Sequence, residues 1–243
     1  MAGCGIAKLW APTQDDVIQR ILPATVQVLV EQQEGRRLRS ASGVAIASGQ
    51  TASGKACFIL TSGHTVAGTQ GHRQVSVVFD RHQGEGVGKK VPATVLAHRE
   101  TSDLDVAIIR AEGSPCAPAS LGVPPRLGAS VWVVGFPWGR HMTLASGVVS
   151  QLNFDLAQNS ETAARLMIDA SVSYGSSGGG VFDARTGHLI GLVEGYRTAR
   201  VVSHGAGPEW YVEVPEPGQT FVVPLTAIRR FLLETGYTGL LHS

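Results

Sequence analysis

Short apolar runs of period two recur along this chain, and they constrain its fold more than any other feature. "ATVQVLVE" (24–31), "SGVAIAS" (42–48), "ACFILTS" (56–62), "VSVVFD" (75–80), "VPATVLAH" (91–98) and "VAIIRA" (106–111) each read as a strand. Side chains alternate between faces along a strand, so runs of this length and period suit short strands. Turn residues separate them, and the 30 glycines and 12 prolines favour many turns over long helices. A second set follows the Pro-rich stretch 113–128: "SVWVVGF" (130–136), "TLASGVVSQL" (143–152), "ARLMIDAS" (164–171), "GVFDA" (180–184), "HLIGLVEGY" (188–196), "EWYVEV" (209–214) and "TFVVP" (220–224). The pattern suggests an all-β sandwich or barrel; about six strands, a crossover and about six more fit two barrels of roughly 100 residues each, a size at which one core still forms.

Helices are expected only at the ends. In "APTQDDVIQRILP", Thr13 can cap, Asp15 and Asp16 fill the first turn, Val17, Ile18, Ile21 and Leu22 share a face, and Pro23 stops the helix. In "LTAIRRFLLETG", Thr226 is the expected cap, Ile228, Phe231 and Leu232 the apolar face, and Gly236 the stop.

Bulk properties exclude several classes. The net charge of +1 provides no field for a nucleic-acid partner, and Arg36, Arg37 and Arg39 read as a solvated loop. No apolar run reaches the ~18 residues of a membrane span, and no N-terminal segment has the form of a signal peptide. Met1-Ala2-Gly3-Cys4 faintly resembles the end of a lipoprotein signal but reads as an ordinary N-terminus. The three cysteines, Cys4, Cys57 and Cys116, fit no metal motif or disulfide framework. Cys57, inside "ACFIL", is expected as a small buried hydrophobe. No metal site and no cofactor are called for.

The glycine-rich stretch "YGSSGGGVFD" (174–183) is either a flexible loop or a backbone that must approach something closely. Were Ser177 a nucleophile it would need a base, and the base an orienting group. Of eight histidines, His72, His82, His98, His141, His188, His204 and His242 lie in polar contexts, whereas His64 follows an apolar strand among small residues in "TSGHTVAG". In "SDLDVAIIR", Asp105 adjoins the apolar run, and a carboxylate there needs a partner; Asp103 suits the turn.

"SASGVAIAS…CFILTSGHTVAG", "SDLDVAIIR", "VWVVGFPWG…TLASGVVS", "IDASVSYGSSGGGVFD…GHLIGLVEG" and "FVVPLTAIRRFL" resemble, in order and spacing, the chymotrypsin-fold serine proteases, above all the bacterial HtrA/Deg protease domain. The resemblance covers roughly residues 13–236. It implies an all-β chymotrypsin-like fold, two six-stranded antiparallel β-barrels with a short N-terminal and a C-terminal helix. The barrels would span 13–112, with His and Asp, and 129–236, with Ser, in a single protease domain joined by 113–128. It implies a catalytic triad of His64, Asp105 and Ser177, an oxyanion hole of Gly175 and Ser177, and polypeptide substrates cleaved through an acyl-enzyme. A side chain at position 175 would crowd the oxyanion. Ser171, Val172, Ser173 and Tyr174 should line the first substrate pocket, which holds no Asp to select Lys or Arg, so a small or medium apolar residue is expected. Glu194 and Gly195 fall on the strand that pairs with substrate; Glu194 points to solvent, accepts a basic substrate group, or raises a neighbouring carboxylate's pKa.

"GSSGG" also matches the G-x-S-x-G elbow of α/β-hydrolases, but that fold needs a helix after the serine and places Asp and His after it. The chain departs from its relatives at Gly180, where a proline is frequent, and at Thr65, where secreted animal relatives carry cysteine. It shows no "IVGG"-like start and no PDZ domain. The family's trimers and its cell-envelope location imply a homo-oligomer and that compartment by resemblance only. The competing readings are a silent protease-fold module that binds peptides by strand addition and an esterase on the same fold.

Overall fold

The computed structural model describes residues 12–241 except 33, 53, 70–72, 80–87, 114–115, 155–164 and 204–209. Cys4, His72, His82, His204 and His242 lie outside the described residues. Two closed antiparallel barrels of six strands make up the molecule, so of the sandwich and barrel that the alternating runs allowed, the barrel forms. The first contains β1 (Thr25–Gln32), β2 (Arg37–Thr51), β3 (Gly54–Thr61), β4 (Arg73–Phe79), β5 (Lys89–Glu100) and β6 (Asp105–Glu112), in the order β1-β2-β3-β6-β5-β4. The second contains β7 (Ser130–Gly135), β8 (Thr143–Phe154), β9 (Arg165–Ile168), β10 (Gly180–Asp183), β11 (Leu189–Val202) and β12 (Tyr211–Pro224), in the order β10-β11-β12-β9-β8-β7.

Three cores explain why several strands are apolar on both faces. Val28, Ala45, Ile59, Val77, Ala107 and Ile109 fill the first barrel. Val133, Val149, Ile168, Val181, Ile190 and Val222 fill the second. The intervening residues, Val44, Leu60, Val106 and Ile108 from one side and Val134, Phe182 and Val223 from the other, meet between the barrels. In "VAII" the side chains alternate between barrel interior and inter-barrel seam. That seam fixes how the barrels sit, and the site lies along it.

The helix α1 (Gln14–Ile21) begins as expected: Thr13 accepts from Asp16 N–H, and Asp16 reaches back to Thr13 N–H. Its buried Val17 and Ile21 join the inter-barrel core. A four-residue helix α2 (Gly63–Val66) follows β3, and α3 (Leu225–Glu234) closes the chain, burying Ile228, Phe231 and Leu232. Thr226 does not cap α3: the helix starts at Leu225, two residues before a Thr226 cap would place it, with Pro224 at the cap position and no side-chain cap. The two expected strands 209–214 and 220–224 are one strand, β12, which runs through Pro215 and Pro217. Register shifts in its partner β11, between Val193 and Gly195 and between Tyr196 and Thr198, absorb the irregularity.

The cysteine expectation is corrected. Cys57 on β3 and Cys116 in the connection between barrels form a disulfide, with Cα atoms 5.7 Å apart. A separation of 59 residues offered no framework to read, and only the folded path brings the two together. The same connection is tied to the first barrel by Ala119 N–H to Ala45 C=O (2.8 Å) and to the second by Gly122 N–H to Leu189 C=O (2.8 Å).

Candidate active site

His64 stands on α2, one turn beyond the end of β3. Gly63 precedes it because no side chain fits: a Cβ would lie 2.1 Å from Arg99 C=O and 2.9 Å from Asp105 Oδ1. That contact puts His64 beside the β5–β6 turn. Asp105, the first residue of β6, is 6% exposed and grips His64 twice. Its Oδ1 accepts the His64 backbone N–H (2.7 Å), and its Oδ2 meets Nδ1 (2.6 Å). An ionised Asp105 makes Nδ1 the protonated nitrogen and leaves Nε2 as the acceptor. The hydrogen bond to Asp105 raises the His64 pKa above its ordinary 6.5, and burial opposes it. Asp103 stays exposed in the turn, hydrogen-bonded by Ser102 (3.3 Å).

Arg39 is exposed, as expected, but lies on β2 rather than in a loop. Its Nη1 donates to the carbonyls of His64 (2.7 Å), Thr65 (3.2 Å) and Ala67 (3.0 Å), satisfying the last carbonyls of α2.

The glycine stretch is a tight, fully specified turn. Gly178 has φ +79°, and a Cβ there would lie 2.3 Å from Ser42 C=O and 2.5 Å from Thr61 Oγ1, so the turn lies directly on the end of β3. Its N–H donates to Val193 C=O (2.7 Å), and Val193 N–H donates to Gly179 C=O (2.8 Å). The two serines have different places. Ser176 is buried, and its Oγ accepts from Ser173 N–H (3.3 Å). The Ser177 hydroxyl donates to Glu194 C=O (3.3 Å), and among the described residues it makes no hydrogen bond to His64.

Both backbone donors named from the sequence are available. Gly175 N–H and Ser177 N–H meet no acceptor among the described residues. Their orientation follows from the carbonyls across each trans peptide. Tyr174 C=O accepts from Trp138 N–H (2.5 Å), so Gly175 N–H points away from Trp138. Ser176 C=O accepts from Gly179 N–H (2.8 Å), which turns Ser177 N–H away from Gly179 in the same way. Trp138 itself holds φ +58°, rare for a bulky residue, in the turn that delivers its N–H. Gly175 has φ +90°, and a Cβ would lie 2.6 Å from Phe136 C=O. The crowding that demands glycine here comes from the 136–139 backbone.

Ser42 anchors this turn from the other barrel. It is 0% exposed; its N–H donates to Ser177 C=O (2.9 Å), and its Oγ donates to Gly175 C=O (2.7 Å) while accepting Phe136 N–H (2.8 Å). Sequence reasoning missed Ser42, and its only signal was a polar residue inside the run "SASGVAIAS".

Ser171, Val172 and Ser173 line a cavity of about 230 Å³ with Val133, Thr143 and Ala145. Tyr174 lies on the surface between Trp138 and Tyr196, at ring-centroid distances of 5.3 and 5.9 Å. Among the described residues, β11 is paired on one side only from Glu194 onward, with β12, and a Cβ on Gly195 has none of their atoms within 4 Å. The carboxylate of Glu194 is paired with Arg165, a partner the sequence did not suggest.

Fold and motif order together define the class: residues 41–192 match the trypsin-like peptidase domain, and the chain belongs to that family. Among curated relatives, it is 34% identical over 147 residues to the serine protease HtrA-like of Staphylococcus haemolyticus, covering 56% of this chain and 21% of that protein. It is 26% identical over 234 residues to the serine protease PepD of Mycobacterium tuberculosis, covering 93% of this chain and 47% of that protein. The chain thus spans less than half the length of these relatives. The crystal structure of Deg5 superposes with a TM-score of 0.64 at 21% identity, covering 90% of this chain and 93% of that one, a likeness of fold.

Proposed function

We propose that this chain is a serine endopeptidase of the HtrA type, with His64, Asp105 and Ser177 as its catalytic residues. The observation that carries the reading is the double grip of Asp105 on His64, next to a serine turn whose two flanking N–H groups are left undonated. His64 Nε2 takes the Ser177 proton as Oγ bonds to a substrate carbonyl carbon. The oxygen becomes an oxyanion received by Gly175 and Ser177 N–H, where each donor contributes roughly 10²–10³ in rate. The C–N bond then breaks as the imidazolium protonates the leaving amine. Water, deprotonated by His64, adds to the acyl carbon; the C–Oγ bond then breaks as the imidazolium returns the proton to Ser177 Oγ, freeing the acid. Asp105 holds the imidazole and stabilises its charged form.

An extended polypeptide adds to the open edge of β11 at Gly195, and the cavity beside Ser171–Ser173 accepts a small or medium apolar side chain. In the resting arrangement the Ser177 proton is directed to Glu194 C=O, a looseness common before substrate binds. The same observation favours the second reading, a silent module that binds peptides without cleaving them. A fluorophosphonate probe separates the two. Labelling of Ser177, abolished by Ser177→Ala and sharply reduced by His64→Ala, supports the peptidase. Absence of labelling on the folded chain supports the silent module.

A further inference from the structure

Arg165 is a charge inside an apolar run, "ARLMIDAS", at the first position of β9, and it is 3% exposed. Its Nε and Nη2 hold both carboxylate oxygens of Glu194, the Nη2 contact at 2.8 Å. Glu194 is the additional residue of a bulge in β11: Val193 pairs with Val222 and Gly195 with Phe221, leaving Glu194 between. Such a bulge re-aims a side chain, here toward the barrel wall and away from the cleft. The same guanidinium crosses to the other barrel, where Nη2 donates to Ser102 C=O at 2.8 Å, three residues before Asp105.

Stability does not account for this pair. Desolvating two charges offsets most of their attraction, and apolar replacements of a buried ion pair are often neutral or stabilising. Its position suggests another role. Glu194 also offers the carbonyl that holds the Ser177 hydroxyl, and Arg165 feels the charge of Asp105. An unpaired Glu194 would put a second negative charge into the wall behind the His64–Asp105 couple.

Resting on the peptidase reading, we propose that the Arg165–Glu194 pair is a charge-neutral clasp that positions Asp105: Arg165 ties the Asp105 turn to the second barrel and cancels the Glu194 charge, so that the field at His64 is set by Asp105. Arg165 and Glu194 are positioning residues: their side chains touch no reacting atom, and only the Glu194 backbone carbonyl meets Ser177 Oγ. The charged groups facing His64 are Asp105, Glu100 and Arg39, all from the first barrel; Arg165, which faces Glu194, Asp105 and Asp103, reaches His64 through Asp105.

The test is the titration of His64, read by imidazole NMR and, in parallel, by the pH dependence of fluorophosphonate labelling. Arg165→Met removes a positive charge and should move the His64 midpoint up by about half a unit to one unit; Glu194→Gln should move it down by a similar amount. Arg165→Met/Glu194→Leu should return it to within about 0.3 unit of the parent, because the pair is neutral. A purely structural role moves both single variants the same way or neither, and that result overturns the clasp, as does a double variant that keeps the shift of one single. Should Arg165→Met not fold, Glu194→Gln and the double variant carry the comparison. If the parent chain labels nowhere, the peptidase reading fails, while the NMR titration still decides the clasp.

Discussion

Removing one oxygen atom from Ser42 tests whether the serine turn is held from the opposite barrel. Ser42 Oγ donates to Gly175 C=O at 2.7 Å and accepts Phe136 N–H at 2.8 Å, in a place with no solvent exposure. Ser42→Ala leaves both backbone groups unpaired. Each such group costs about 1–3 kcal/mol, so the variant should lose about 2–6 kcal/mol of stability. The backbone bond from Ser42 N–H to Ser177 C=O survives, so the turn should loosen around Gly175 without leaving its place. Complete loss of one oxyanion donor is worth roughly 10²–10³ in rate, and a tilted Gly175 peptide should therefore lower kcat about 10- to 100-fold. KM should change less than about threefold, because this contact acts on the transition state. The assay is peptide turnover with kcat and KM resolved, urea unfolding, and the affinity of a peptide boronate that forms the tetrahedral adduct. Ile59→Ala, in the first barrel interior, is the control: it should destabilise by about 2–5 kcal/mol while kcat stays at the parent value. Parent-level kcat in a Ser42→Ala protein that shows the stability loss would refute the reasoning.

Other outcomes follow from the same geometry. Catalysis needs neutral His64, whose pKa is raised by Asp105, so the acid limb of kcat/KM should fall above 6.5 and move down in Asp105→Asn. The raised value also means that this histidine's contribution to stability is full below 6.5 and fades as pH rises through the folded midpoint; a urea-midpoint series against pH checks the sign. Gly178→Ala should cost about 2–5 kcal/mol, from overpacking of ~1–3 and a left-handed backbone of ~1–2, while Gly236→Ala, at φ +82° in open space, should show only the backbone part. Reduction of Cys57–Cys116, which closes a 59-residue separation, should lower stability by about 4 kcal/mol on chain-entropy grounds; an unchanged unfolding midpoint in reductant would count against the bond.

Much of this molecule was readable along the chain because its determinants are local. Period-two runs and turn residues announced all twelve strands, and a capping box announced α1, since these patterns act over a few residues. The same sequence singled out His64, Asp105 and Ser177 by motif, and Gly175 and Gly178 stand where positive φ and close backbone contact leave room for nothing else. What lay beyond it depends on residues far apart. The cysteine pair, the reach of Ser42 to Gly175 over 133 positions and the clasp between Arg165 and Glu194 exist only once the two barrels share a seam. Local pattern sets which face of a strand is apolar; the fate of a buried polar group is set by whatever partner the packed fold delivers, and that partner leaves no mark in the neighbouring sequence.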